Sequence, residues 1–338
     1  MSLGLQVATS MTAALLTLTS PIKPFSEDFS VYTDERTQKP VILDMDFGSD
    51  VDDACALRIA ANADIIGDIS LKAVTMSVYA DNELNIRAAD GMLDYQGLKN
   101  VDYGYTTCGT YDESKYWDTL AQYSDGQYKL DTAVRVWRKV IAQSNRKVDI
   151  ITTGYLMNLC DFCQSGPDDI SDLTGMEMLN DYVGNIYIVG GSWTDGYDNN
   201  FYAVDKSKES VDWVLKNVTR PLFFISNEAG GVINVGGMVT REYPDDPLSK
   251  ALLAFGTDYG RAGWDPFAMY VCVYGDSVEQ LESKGLGIMP INFGFDVDTG
   301  ENHWSEAEES NFYRIYRVSD DLGYYQDLLD RCCLVVER

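Results

Sequence analysis

Val41-Ile42-Leu43-Asp44-Met45-Asp46-Phe47-Gly48-Ser49-Asp50-Val51-Asp52-Asp53-Ala54-Cys55-Ala56-Leu57 reads as a strand, a turn and a helix in succession. The apolar run Val41 to Leu43 has the character of a buried strand, and Ala54 to Leu57 with Ile59 and Ala60 forms the apolar side of a following helix. The carboxylates of Asp44, Asp46, Asp50, Asp52 and Asp53 therefore crowd into the strand-to-helix turn, where Gly48 supplies the freedom for a tight bend. So many negative charges repel one another unless they are solvated, protonated or neutralised, and a hard divalent cation with oxygen ligands neutralises them directly. The expectation is a metal site at the carboxyl end of a parallel strand, where open α/β sheets place their ligands. An acidic surface loop is the plain alternative. An EF-hand is excluded by spacing, because Gly48 is fifth from Asp44 and the twelfth position is Cys55 rather than Glu.

Composition narrows the function classes. The chain has 338 residues, 45% of them hydrophobic, which is ample for a packed core. Its 53 acidic residues against 26 Lys and Arg give a net charge of −27. That field argues against nucleic acid and anionic membranes as partners and tolerates an uncharged small molecule. Residues 6–19 hold a modest apolar stretch with no preceding Lys or Arg, too short and polar to span a bilayer. Residues 1–38 read as an N-terminal extension or lead-in, and a cytoplasmic location is expected, with export and a trimmed signal segment as the alternative. Seven cysteines, an odd count in a large chain, suggest reduced and buried thiols. Cys160-Asp161-Phe162-Cys163 is a lone C-x-x-C, and with His303 the only histidine it makes a poor zinc site.

Beyond the first turn, strands are expected at 71–78, 148–153, 185–189 and 221–225, and helices at 82–95, 132–144, 155–163 and 205–215. The polar, Tyr-rich stretch 106–130, with Tyr111, Tyr116, Tyr123 and Tyr128, reads as a lid or binding loop. Strand and helix alternate, so the fold class is α/β: one domain over residues 39–338, with a mostly parallel central sheet and helices on both faces. Polar residues just past each strand are then the site candidates: Asp81-Asn82, Gly154 to Asn158, Gly190-Gly191 with Asp198-Asn199-Asn200, Asn227-Glu228 and Trp264-Asp265. Neither a Gly-x-Ser-x-Gly elbow nor a phosphate-binding G-x-x-x-x-G-K-[ST] loop is present, so acyl-enzyme chemistry and nucleoside triphosphate binding lack support. His303, in a polar segment, reads as a surface residue.

Taken together, these motifs resemble the inosine-uridine preferring nucleoside N-ribohydrolase family. The family's Asp-x-Asp-x-Gly-x-Asp-Asp-Ala-x-Ala-Leu is matched by Asp44 to Leu57 with a turn two residues longer, a form similar to a bacterial subgroup. Thr153 to Leu159 is similar to the family's Gly-Pro-Leu-Thr-Asn-Leu, Val189-Gly190-Gly191 to its Met-Gly-Gly, Asp198 to Phe201 to its Glu-Phe-Asn, and Gly263 to Pro266 to its His-Asp-Pro. The resemblance runs from about Lys39 to Arg317.

It implies a Rossmann-like nucleoside hydrolase fold, a homodimer or homotetramer, a nucleoside substrate and a role in purine or pyrimidine salvage. It also implies a calcium ion held by Asp46, Asp53, the backbone carbonyl of Met157 and Asp265; Asp50, inside the insertion where the family has no counterpart, is a further candidate ligand. Asp46 would be the base that takes a proton from metal-bound water. Asp52, Asp198, Asn200 and Asn82 would hold the ribose, while Glu228, Asn227, Trp264 and tyrosines 79, 155, 197 and 202 are candidates to line the base pocket. The family's leaving-group acid is a His where this chain has Trp264, and no other His can substitute. Two rivals follow: a calcium- and ribose-binding protein of the same fold without turnover, and a magnesium-dependent phosphatase with Asp44 or Asp46 as nucleophile.

Overall fold

A computed structural model describes residues 38–109 and 113–336. The stretch 6–19, the lead-in through residue 37 and Tyr111 lie outside the described residues. Ten strands form one sheet: β1 (Lys39–Met45), β2 (Ile69–Met76), β3 (Asp102–Tyr105), β4 (Leu130–Thr132), β5 (Val148–Thr152), β6 (Val183–Val189) and β7 (Leu222–Ile225), joined by three from the C-terminal part. Between them β8 (Asn234–Gly236) and β9 (Gly260–Ala262) make a separate antiparallel ribbon, and β10 (Leu286–Phe295), β11 (Asn302–Glu306) and β12 (Phe312–Arg317) complete the large sheet. Its order is β11-β10-β12-β7-β6-β5-β1-β2-β3-β4. All pairings from β12 to β4 are parallel, and only β10 and β11 run antiparallel to their neighbours.

This order creates the crevice. The chain leaves β1 on one side to build β2, β3 and β4, then returns to the other side of β1 to lay down β5, β6 and β7. Connections therefore diverge from the carboxyl ends of β1 and β5, which is the switch point where open sheets bind ligands. Every residue of β1 is buried, as expected of a strand covered by helices on both faces. Helix Asp52–Ile66 is buried from Asp52 to Ala63, because its sequence is apolar or small nearly all the way round. It packs against helix Trp264–Tyr274, whose mid-section Phe267 to Val273 is also buried.

Three differences from the expected elements have physical causes. Stretch 106–130 is no open lid: helix Trp117–Ala121 buries Trp117 and Leu120 against the core, and Trp117 Nε1 donates to Phe47 O at 3.1 Å. The last five strands lie in a region where short runs of two to four apolar residues carry little periodicity. Helix Met157–Gln164 begins two residues late because Thr153 N donates to Asp44 O (2.8 Å) and Tyr155 N to Ser77 Oγ (3.1 Å), prolonging the extended chain past β5. Among the described residues no helix is long and apolar enough to cross a membrane.

Two glycines set the strand ends. Gly48 has φ +128° and lies flat under Trp117, where a side chain would strike the indole. A Cβ on Gly154 would come within 2.5 Å of Asp46 N and 2.8 Å of Asp46 Cβ, so only glycine lets β5 approach the acidic turn so closely. Gly154→Ala is expected to cost about 1–3 kcal/mol by overpacking, read as a lower midpoint in thermal or urea unfolding; an unchanged midpoint would contradict this close approach.

Candidate active site

At the end of β1 the chain turns through Asp46 to Val51 and enters the helix at Asp52, with Asp52 and Asp53 in its first turn. Asp265 occupies the same place in helix Trp264–Tyr274. Helix N-termini favour negative charge, so two helix dipoles offset part of the repulsion at this point. Carboxylate oxygens of Asp46, Asp53 and Asp265 all lie within 4.8 Å of one another, and all three residues are buried. Neither oxygen of Asp53 has a hydrogen-bond partner among the described residues. A buried carboxylate orphaned at both oxygens is costly unless a cation or a proton supplies the missing partner. The donor set is oxygen only, which suits a hard cation such as calcium.

Around the trio opens a cavity of about 610 Å³. Asp52 lines it and accepts a hydrogen bond from Asp265 N at 3.2 Å, tying the two helix starts together. Asp198 and Asn200 line the far side, on a loop after β6. Asp198 Oδ1 caps helix Asn199–Tyr202 through Asn200 N at 3.0 Å, and Asn200 Nδ2 donates to Thr153 O (3.0 Å) and Val189 O (3.1 Å), which leaves its Oδ1 to accept. Trp264, Asn227, Arg261, Tyr155, Tyr197 and Tyr202 complete the wall. Trp264 Nε1 donates to Asn227 Oδ1 at 2.6 Å.

Three expected site residues, Asp50, Asn82 and Glu228, are engaged by other partners. Asp50 lines the cavity outside the trio, with Arg261 Nε donating to both its oxygens at 2.9 Å and Nη2 to Oδ2 at 2.6 Å. Asn82 is exposed, is not among the cavity-lining residues, and its Oδ1 accepts from Leu84 N at 3.0 Å, just before the next helix. Glu228 turns toward the loop after β6: its Oε1 accepts from Ser192 Oγ, Trp193 N, Thr194 N and Thr194 Oγ1 at 2.8–3.0 Å. Met157 opens helix Met157–Gln164, its side chain buried with Val78 and Tyr155. Asp44 is wholly buried beneath the site, where Thr75 Oγ1 (2.6 Å) and Asn158 Nδ2 (2.7 Å) donate to its Oδ1. That seclusion removes Asp44 as a phosphatase nucleophile. Among residues the sequence did not single out, Arg261 and Asp195 line the cavity and Ser49 Oγ donates to Asp46 Oδ2 at 2.8 Å. Ser49 lay inside the quoted motif, whereas Arg261 lies two residues before the Gly263 to Pro266 motif and outside it.

Burial pushes Asp46 up to about 6, with Asp50 adding to the effect and the Ser49 hydrogen bond opposing it. Burial, reinforced by neighbouring carboxylates, drives Asp53 and Asp265 well above the ordinary range. Burial likewise pushes Asp44 up to about 7 and Asp198 up to about 6. A carboxyl whose folded-state pKa is raised binds its proton more tightly in the folded chain, so it contributes stability at low pH that is lost as pH rises through the folded value. Without calcium, the unfolding free energy is expected to fall between about pH 5 and pH 8; saturating calcium removes the part of that slope owed to the trio and leaves the part owed to Asp44. Thermal unfolding across that range with and without calcium checks this, and identical slopes in both series would contradict it.

No protein-family model matches this chain, and no curated protein sequence does. Solved structures do. The inosine-uridine preferring nucleoside hydrolase of Bacillus anthracis is similar over 87% of this chain and 100% of its own, with TM-score 0.62 and 17% identity. The purine-preferring ribonucleoside hydrolase of Gardnerella vaginalis covers 87% of this chain and 98% of its own at TM-score 0.63 and 17% identity. The type III effector protein XopQ, solved in complex with adenosine diphosphate ribose, covers 88% and 94% at TM-score 0.63 and 12% identity. The chain has the fold of the nucleoside hydrolases.

Proposed function

We infer that this chain hydrolyses the N-glycosidic bond of a ribonucleoside or a related N-riboside, releasing ribose and the free base in a calcium-dependent reaction. The observation that carries the reading is the buried trio Asp46, Asp53 and Asp265, with its orphaned oxygens, on the wall of a cavity at the sheet's switch point. The likeness in fold to nucleoside hydrolases of both purine and inosine-uridine preference supports the reaction class. Calcium would be held by the three carboxylates and the backbone carbonyl of Met157. Bound there, it would neutralise the trio, hold the ribose diol and acidify water.

The chain's own residues divide the remaining work. Asp46, whose Oδ2 is held by the Ser49 hydroxyl, accepts the proton of the attacking water. Asp52, Asp198 and the free Oδ1 of Asn200 accept hydrogen bonds from ribose hydroxyls and orient the ring. Their negative charge, with that of the trio, favours the positive charge that develops on the sugar as the C–N bond lengthens. The free thiols of all seven cysteines support a reducing, cytoplasmic setting.

A calcium- and riboside-binding protein without turnover is the second reading. It is favoured by Trp264 standing where the resembled family has its acid, while His303 is exposed on β11. Ribose release from a panel of purine and pyrimidine nucleosides separates the two. Release is expected in calcium, is lost on chelation and is restored by calcium. Asp46→Ala is expected to lower it by at least about a hundredfold with the fold intact. Full activity in that variant would contradict the role of Asp46, and tight nucleoside binding with no release from wild type would establish the second reading.

A further inference from the structure

Breaking a ribosyl C–N bond sends the bonding electron pair onto a nitrogen of the base, so the wall that receives the base must be poor in carboxylates and rich in donors. Most of the cavity fails that requirement, because Asp46, Asp52, Asp53, Asp265, Asp195 and Asp198 line it, and the remaining carboxylate, Asp50, is neutralised by Arg261. The exception is the strip carrying Asn227, Arg261 and Trp264. Among the described residues lining the cavity, Arg261 is the only one with a positive charge.

Arg261 is also held rigidly. It sits in the middle of β9, opposite Val235 of β8. Its guanidinium lies 5.4 Å from the centre of the Trp264 ring and 5.7 Å from that of Phe255, a cation between two aromatic faces. Asp50 takes its Nε and Nη2, and among the described residues no hydrogen bond is made by Nη1 of this cavity-lining arginine. Asp50 is fixed in turn by Val51 N on its Oδ1 (2.7 Å) and by Tyr116 Oη on its carbonyl (2.6 Å). Trp264 spends its one donor on Asn227 and so offers the base a face rather than a hydrogen bond.

We propose that Arg261 is a catalytic residue that stabilises the departing base as an anion, and that Asp50, placed by the longer acidic turn, is the positioning residue that aims it. This assignment rests on the N-ribohydrolase reading given above. The step balances without a proton from arginine. The C1′–N bond breaks and its pair goes to the base, the water oxygen bonds C1′, and the water proton goes to Asp46. Arg261 stays cationic and donates hydrogen bonds to the base anion, which takes its proton from solvent after release. Pairing with Asp50 holds the guanidinium above its already high ordinary value, consistent with a group that donates hydrogen bonds and keeps its proton.

The test compares natural nucleosides, whose bases leave poorly, with 4-nitrophenyl β-D-ribofuranoside, whose nitrophenolate needs no such help. Arg261→Gln is expected to lower kcat on nucleosides by about a hundredfold or more, as loss of one transition-state donor does. On the nitrophenyl riboside its kcat is expected to fall no more than about threefold, with KM little changed on either substrate. Asp50→Asn is expected to show the same leaving-group selectivity in milder form, and Arg261→Lys to recover part of the nucleoside rate. Equal losses on both substrates, or none on nucleosides, would overturn the assignment while leaving the hydrolase reading standing. Wild-type protein that cleaves neither substrate in calcium would instead overturn that reading and this assignment with it.

Discussion

Mutual repulsion among buried carboxylates is the constraint on which the rest of this structure depends. Asp46, Asp53 and Asp265 are brought within 4.8 Å by elements more than two hundred residues apart, and each is buried. Among the described residues no ion pair reaches the trio itself; Arg261 takes Asp50 and stands to one side. What the fold supplies is two helix N-termini, from Asp52–Ile66 and Trp264–Tyr274, and a layer beneath in which Trp137 donates to Thr75, and Thr75 and Asn158 to Asp44. Helix dipoles are worth about 0.3–1 kcal/mol each at exposed sites. That is small against the several kcal/mol of desolvating even one carboxylate. A divalent cation held by the trio would change that balance.

Much of this was legible because the decisive signals are local. The run from Val41 to Leu57 contains a strand, a turn and a helix start, and a parallel strand followed by acids can place those acids only at its carboxyl end. The alternation through Ile225 fixed β1, β2, β5, β6 and β7 for the same reason, while β3 and β4, of four and three residues, carried too short a pattern to be expected. Beyond it the pattern weakens, since β8 and β9 have only three residues each, β10 and β11 run antiparallel, and β10 to β12 are partly exposed.

The site was legible residue type by residue type but not in its pairings. Asp50 belongs to the most conspicuous motif in the chain, yet its partner Arg261 is 211 residues away and lies in a ribbon without a strong strand signal. Asn82 and Glu228 each follow a strand, as a site residue should, but each is claimed by backbone donors: Asn82 by Leu84 N, Glu228 by the loop at 192–194. Short polar side chains compete for nearby N–H groups in this way, and sequence position alone cannot reveal which competition wins. The Tyr-rich stretch misled for a related reason, because Tyr116 and Trp117 are large apolar bodies with one polar atom, and both bury the body and bond the tip.

The most direct measurement of the central claim is an anomalous difference map from crystals of the protein grown in calcium. The account predicts one strong peak bounded by Asp46, Asp53 and Asp265, with oxygen contacts of about 2.3–2.6 Å. A map with no peak there, and the trio drawn together around shared protons instead, would contradict it.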